Sequence, residues 1–317
     1  MIIVSASDNN FVPGLLVLLY SAWINNPDAR FHVIDAGIDS GNLDRIRAFC
    51  AGNGIDCSIL RADADALASL PKPKHWTSAT YARLFLPDLL PEADRVIHVD
   101  ADAIVNSDIS ELWDLDLGDH LVAGVADTTI DLDLLEQIGI ALGDYINAGV
   151  LVMNLAQWRR EGTAGKMVRQ LIDHPELAFA DQTAINVVAR GRILHLAKEF
   201  NIFAREFSDR KHMRPRIIHY SGQFKPWTSR ISPMTEVFDA YRVASRADIP
   251  APPHGWDFKR LRRTALGLVC LRPKYWRRVA CRLHYRSAFS APHIRDLHTK
   301  AAAVRRGGAP PEQATPS

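Results

Sequence analysis

Residues 95–105 read RVIHVDADAIV. A strand-forming, mainly apolar run ends on Asp100, and Ala103-Ile104-Val105 resumes the apolar pattern after Asp102. Carboxylates in such surroundings are costly unless an opposite charge compensates them. In an extended segment, residues two apart project to the same side, so Asp100 and Asp102 can face one cation together. Hard oxygens suit Mn²⁺ or Mg²⁺, with the remaining coordination positions left to water or phosphate. The competing reading has one aspartate capping a turn and the other exposed to solvent.

Outward from this stretch, strand-like runs alternate with helical patterns. Ile2-Ile3-Val4, Phe31–Ile34 and Cys57–Leu60 read as strands. Pro13–Trp23 reads as a buried helix, and Leu43–Gly52 as an amphipathic one with Leu43, Ile46, Arg47 and Cys50 on one face. This β-α-β-α-β order predicts a mainly parallel sheet with helices on its faces. Ligands bind such sheets at the carboxyl ends of the strands. Asp8 follows the first strand and Asp100 ends a later one, so both belong on one rim. No GxGxxG follows the first strand, which argues against a dinucleotide-type Rossmann site. Leu121–Val125, Gly149–Met153 and Arg216–Tyr220 are further strand candidates, Gln182–Arg190 is a helix, and Pro250, Pro252 and Pro253 mark a linker.

The chain has 317 residues, 47% of them hydrophobic, which fits a full globular core. Its four cysteines form no CxxC and no zinc-type spacing with histidine, so reduced thiols are the simpler reading. The chain opens on MIIVSAS without a basic start, and the early apolar stretch Gly14–Trp23 is about half of the ~20 residues a membrane span needs. An intracellular protein is expected. The net charge of +2 hides an uneven distribution: residues 255–306 carry 14 Lys/Arg against 2 Asp/Glu, whereas residues 1–254 carry 24 against 33. Within 255–286, Trp256, Phe258, Tyr275, Trp276 and Tyr285 interleave with the cations. Two short basic amphipathic helices are predicted there. Both an anionic membrane and a nucleic acid meet that charge logic. The last eleven residues, GGAPPEQATPS, read as a mobile tail.

Other polar residues sit at strand ends. Asp8 and Asn10 suit a base or ribose, but capping of the next helix is the plainer reading. Arg83, in a helical TYARL stretch, can clamp phosphate or form an ordinary ion pair. Asn147 offers a donor and an acceptor, and Gly149 permits close backbone approach. Asp127 follows the Leu121–Val125 strand. Asp181 reads locally as a helix N-cap before Gln182. His219 lies on an apolar strand, where a packed core histidine is the usual outcome. Gly222 and Lys225, three and six residues on, suit a diphosphate.

Six motifs in order resemble the family-8 retaining glycosyltransferases, which include bacterial lipopolysaccharide galactosyl- and glucosyltransferases and glycogenin. They are ASDNN (6–10), HWTSATYARLFLPDLLP (75–91), RVIHVDADAIV (95–105), YINAGVLVMNL (145–155), FADQTAIN (179–186) and IIHYSGQFKPW (217–227). The resemblance spans Ile3 to about Trp227. It implies a GT-A type α/β fold over 1–249, followed by a basic helical appendage over 250–306 and the tail 307–317. It implies a uridine site at Ala6, Asp8 and Asn10. Metal ligation falls to Asp100, Asp102 and His219, with Ala101 between the aspartates. Asn147, Ala148, Gly149, Asp127 and Asp181 are implied at the donor sugar, with Gln182 near the anomeric carbon and Arg83 against the donor. Gly222 and Lys225 are implied at the diphosphate. An amide is a poor nucleophile, so Gln182 is read as a positioning or ion-stabilising group.

The implied activity is transfer of galactose or glucose from a UDP-sugar to a saccharide acceptor, with a lipopolysaccharide-type core as the expected acceptor. A lipid-linked acceptor favours the membrane over nucleic acid for residues 255–286, and hence a protein on the inner face of the cell membrane. The same two aspartates would also serve a metal-dependent phosphohydrolase, or remain in a membrane-bound binding protein with an inactive site.

Overall fold

The computed structural model describes residues 1–71, 78–204, 215–229 and 234–252, with isolated positions beyond. β1 (Ile2–Ser7) leads into α1 (Val12–Asn25), followed by β2 (Arg30–Asp35), α2 (Ser40–Asn53) and β3 (Cys57–Arg61). These are the elements the hydropathy pattern predicted, extended by one to three residues at most ends. Every residue of α1 except Pro13 is buried. A helix apolar on all sides belongs inside a protein, and α1 shares its core cluster with residues of two sheets. Truncating one of its leucines, such as Leu16, would cost about 2–5 kcal/mol. α2 buries Leu43, Ile46 and Cys50, is capped by the Asp39 carboxylate on Asn42 N–H at 2.8 Å, and ends on Gly54 at φ +74°. Arg47, assigned to the buried face from sequence, is exposed and pairs with Asp44 instead. Its guanidinium cannot leave water without a partner.

The main sheet has seven strands in the order β3-β2-β1-β4-β7-β6-β8, where β4 is Arg95–Val99, β6 is Val122–Ala126, β7 is Ile146–Asn154 and β8 is Ile193–His195. Only β7 runs against its neighbours. The alternation of side chains across the sheet sorts residues into two cores. Ile3, Ile97, Val150 and Val152 face one, and Val4, Val96, Leu151 and Met153 face the other. A second, three-stranded sheet joins β5 (Ala103–Val105), β10 (Ile217–His219) and β9 (Ile202–Phe203) in the order β5-β10-β9.

Two features of this topology build the site. Because β7 is antiparallel to β4, its beginning lies at β4's end: Val99 pairs with Val150, and Asp100 N–H donates to the Gly149 carbonyl at 2.8 Å. Because β10 is antiparallel to β5, His219 pairs with Ala103, and Tyr220 N–H donates to the Asp102 carbonyl at 2.9 Å. Residues far apart in sequence therefore meet at one edge. The helix Ala180–Val188 is fastened to the same place by Asn186, which is fully buried. Asn186 accepts from Ile146 N–H at 2.7 Å and donates to the Ile146 carbonyl at 2.8 Å. Asn186→Ala orphans both backbone groups and is expected to cost about 3 kcal/mol, measurable as a lower midpoint in urea unfolding.

The predicted basic stretch 255–286 lies outside the described residues, apart from Val269 and Trp276, which are both exposed. Pro253 of the linker and the opening His75-Trp76-Thr77 of the second motif also lie outside them. Further on, Leu297 is fully buried in the same cluster as α1, so that part of the expected appendage packs on the main body. No helix among the described residues is long and apolar enough to cross a membrane.

Candidate active site

Asp100-Ala101-Asp102 forms a turn between β4 and β5, closed by Ala103 N–H on the Asp100 carbonyl at 3.0 Å. It is not the extended segment that the sequence suggested. The carboxylates converge anyway, because the second sheet brings His219 between them. Its Nε2 lies 3.3 Å from Asp102 Oδ1 and 3.8 Å from Asp100 Oδ2. One ligand atom from each of the three falls within 4.8 Å of the others. Two hard carboxylate oxygens and one imidazole nitrogen suit a divalent cation. Lys225 Nζ sits 2.5 Å from Asp102 Oδ2 and donates to the Tyr220 carbonyl at 3.0 Å. Burial works against the Asp102 charge, but His219 when protonated, and Lys225, outweigh it and hold the carboxyl well below the usual carboxylate range.

Behind the turn, Arg83 lies on a 3-10 helix, Ser78–Phe85, rather than on an α-helix. It is buried, and its donors are committed inside the protein. Nη2 reaches Asp100 Oδ1 at 2.9 Å, Nε lies 3.1 Å from Asp181 Oδ2 and 3.1 Å from the Thr80 carbonyl, and Nη1 donates to the Ala148 carbonyl. Burial disfavours the Arg83 cation, yet Asp100 and Asp181 raise its pKa overall. Nη1 also approaches His98 Nδ1 at 3.4 Å. Burial first and Arg83 second push His98 far down, so this histidine is neutral. Arg83 is thus an internal strut between the Asp100 turn and the helix that carries Asp181 and Gln182.

Asp181 is not an N-cap. The cap position is Phe179, in the left-handed region at φ +59°, and Asp181 lies inside the helix, buried against Arg83. Burial raises its pKa to about 6, with Arg83 opposing and Asp100 adding to the rise. A carboxyl raised from 3.8 in the unfolded chain to about 6 in the fold stabilises fully below the first value and loses that contribution as pH rises through the second. Asp181→Asn is therefore expected to raise the melting temperature of the ligand-free protein at neutral pH and to abolish the fall in stability that this carboxyl contributes between about pH 4 and pH 6. Circular dichroism melts from pH 4 to 7 measure both.

On the other side of Arg83, Asn147, Gln182 and Asp127 form a buried amide cluster. Gln182 Oε1 accepts from Asn147 Nδ2 at 2.9 Å and from Ala148 N–H at 3.1 Å. Its Nε2 makes no hydrogen bond of normal length among the described residues, although the Tyr145 hydroxyl is near enough to interact. Asp127 Oδ1 accepts from Thr129 N–H at 3.0 Å and from its hydroxyl at 2.8 Å, while Oδ2 faces Asn147 Nδ2 at 3.4 Å. Asn201, which no motif singled out, bonds both Asn147 and His219. Its one sequence signal is an amide inside the apolar run Phe200–Phe203. Asn186 closes the motif FADQTAIN without a role assigned to it, and its place one helical turn beyond Gln182 was the signal for one.

The rim continues to Asp8 and to the loop after β10. Ala6 is partly exposed near the end of β1. Asp8 is buried and caps the short turn that follows through Asn10 N–H and Phe11 N–H, at 2.9 and 3.3 Å, as the plainer reading had it. Asn10 itself is exposed. Gly222 adopts φ +101°, a turn conformation that side-chain-bearing residues rarely take. Lys225 lies 5.4 Å from the Phe11 ring centroid, and Trp227 packs edge-on against Phe11 with centroids 5.7 Å apart. Gly14 makes this closure possible, since a Cβ there would meet the Ala101 carbonyl and the Trp227 ring at 2.5 Å.

The family model for glycosyl transferase family 8 matches residues 2–230. The chain belongs to glycosyl transferase family 8. It is 29% identical over 251 residues to general stress protein A of Bacillus subtilis, covering 72% of this chain and 88% of that one. It is 29% identical over 244 residues to lipopolysaccharide 1,3-galactosyltransferase of Salmonella typhimurium, covering 70% and 71% of the two chains. Among solved structures, galactosyltransferase LgtC with donor and acceptor sugar analogues superposes with a TM-score of 0.68 at 29% identity, over 82% of this chain and all of the other. This family-8 protein is thus a glycosyltransferase of GT-A architecture. The expected fold class holds: a mostly parallel sheet with flanking helices.

Proposed function

We propose that this glycosyltransferase is metal-dependent and retaining, and that it moves galactose or glucose from a UDP-sugar to a saccharide acceptor. The observation that carries the reading is the convergence of Asp100, Asp102 and His219 at the sheet edge, joined through Arg83 to the Asp181–Gln182 pair. A divalent cation held by the three ligands would supply Lewis-acid neutralisation of the charge that develops on a departing diphosphate. Lys225, now paired with Asp102, reaches toward the same oxygens, and the Gly222 turn leaves its backbone open to them. Asp8, Asn10 and Ala6 line the end of β1 where the uridine would bind. Asp127, Asn147 and Asp181 present carboxylate and amide groups to the sugar hydroxyls. Gln182 presents its Nε2 donor, because its oxygen is already engaged; it orients the sugar and does not attack it.

The acceptor hydroxyl then enters on the face that UDP leaves, which preserves the anomeric configuration. Its proton passes to the departing phosphate oxygen. A lipopolysaccharide-type core is the acceptor we favour, from the named activity of the Salmonella relative. A lipid-linked acceptor also fits the cationic, aromatic stretch 255–286 and the exposed Val269 and Trp276, by which the protein would attach to the inner face of the membrane.

UDP release measured across UDP-sugars with Mn²⁺, with and without glycan acceptors, tests the chemistry. Glycoside formation with UDP-galactose or UDP-glucose is the expected result. Release of phosphate without a glycoside would instead indicate a hydrolase. Binding to anionic liposomes at low salt tests the attachment, and its absence would overturn that part alone.

A further inference from the structure

Asn201 is fully buried between the two halves of the site. Its Nδ2 donates to Asn147 Oδ1 at 2.8 Å, and its Oδ1 lies 3.0 Å from His219 Nδ1. The orientation of these amides is fixed by backbone groups, which can only donate. Gly149 N–H donates to Asn147 Oδ1 at 2.9 Å, and Ala148 N–H donates to Gln182 Oε1 at 3.1 Å. Asn147 must therefore turn its oxygen toward Asn201, which answers with its amide nitrogen. Asn201 has only its oxygen left for His219. Nδ1 of His219 must then carry a proton.

A neutral imidazole protonated at Nδ1 keeps its lone pair on Nε2, the atom that faces Asp100 and Asp102. Phe203 holds the ring edge-on, with centroids 5.5 Å apart. The same polarity runs on the other way, since Asn147 Nδ2 donates to Gln182 Oε1 at 2.9 Å. His219, Asn201, Asn147 and Gln182 thus form one directional chain from the carboxylate turn to the glutamine.

We propose that Asn201 is a positioning residue that fixes His219 in its Nδ1–H tautomer and so makes Nε2 the cation ligand. Through Asn147 it also ties the cation end of the site to Gln182. This rests on the reading of Asp100, Asp102 and His219 as a metal site. Partners that orient a ligating histidine contribute about 10–100-fold to metal affinity.

The test measures Mn²⁺ binding by electron paramagnetic resonance in the presence of UDP, on the full chain, with folding followed by circular dichroism. Asn201→Ala is expected to weaken Mn²⁺ binding by about 10–100-fold. Asn201→Asp keeps an acceptor for His219 but cannot donate to Asn147. It is expected to keep wild-type or tighter Mn²⁺ binding while turnover with UDP-sugar falls. Folded Asn201→Ala with wild-type Mn²⁺ affinity, or Asn201→Asp that loses Mn²⁺ as Asn201→Ala does, overturns the proposal. Asp102→Asn separates the two ideas: if it too binds Mn²⁺ normally, the metal site itself is misread, whereas if only Asp102→Asn loses Mn²⁺, Asn201 has no positioning role. Should Asn201→Ala fail to fold, ¹⁵N NMR of the wild-type imidazole at alkaline pH, assigned against His219→Gln, decides. A proton on Nδ1 supports the proposal, and a proton on Nε2 overturns it.

Discussion

Asp102→Asn is expected to lower UDP-sugar turnover by about a thousandfold, the loss of roughly 4 kcal/mol of transition-state stabilisation. The side chain is buried, 3.3 Å from His219 Nε2 and 2.5 Å from Lys225 Nζ. The substitution keeps the shape and removes the charge. It takes away one of the two carboxylates that can hold a cation, and it leaves the Lys225 ammonium without the buried carboxylate that neutralises it. A cation-dependent enzyme would lose its affinity for Mn²⁺ together with its turnover. Titration of activity against Mn²⁺ is the measurement. Retention of both activity and metal dependence would mean that Asp102 holds no catalytic cation. Because Asp102 is also an internal ion-pair partner, the melting temperature of the variant must be recorded beside its kinetics.

Gly149→Ala is the second large effect, and it arises from space alone. A Cβ at this position would stand 2.2 Å from His219 Cε1, 2.6 Å from His219 Nδ1 and 2.9 Å from Asn147 Oδ1. The backbone is held in place, because the Gly149 carbonyl accepts from Asp100 N–H and β7 pairs with β4 from the next residue, Val150, through Asn154. His219 cannot retreat without breaking its contact with Phe203 and its hydrogen bond to Asn201. Overpacking of a fixed site costs about 1–3 kcal/mol of stability. The functional loss is expected to be larger, since the displaced ring is the one that faces both carboxylates. Loss of Mn²⁺ binding with the fold retained is the expected outcome, checked by the same binding assay and by thermal unfolding. Wild-type Mn²⁺ affinity in Gly149→Ala would mean that His219 is not a ligand.

Much of the architecture was legible without coordinates. The strand-helix alternation through residue 61 follows from hydropathy, because burial of one face imposes its period on the chain. The chemistry of Asp100 and Asp102 follows from residue type, since paired carboxylates ask for a cation wherever they are placed. The assignment of His219 and Lys225 to the same site rested on resemblance, and the fold brings both to the carboxylates. Local pattern misled where a residue's partner was distant. Asp181 looks like an N-cap, but Arg83 draws it into the interior. Asp100 and Asp102 look like neighbours along a strand, but they occupy a turn whose two arms belong to different sheets.

The sequence by itself determined which elements form, which faces are apolar and which chemistry the acidic turn can support. All of these depend on residue type and on neighbours a few positions away. Only the tertiary structure decided that β7 runs antiparallel, which delivers Asn147 and Gly149 to the end of β4, and that Asn201 stands between Asn147 and His219. The direction of a strand and the partners of a buried amide are set by hydrogen-bond register between distant segments. Such register leaves no period in the chain from which it could be read.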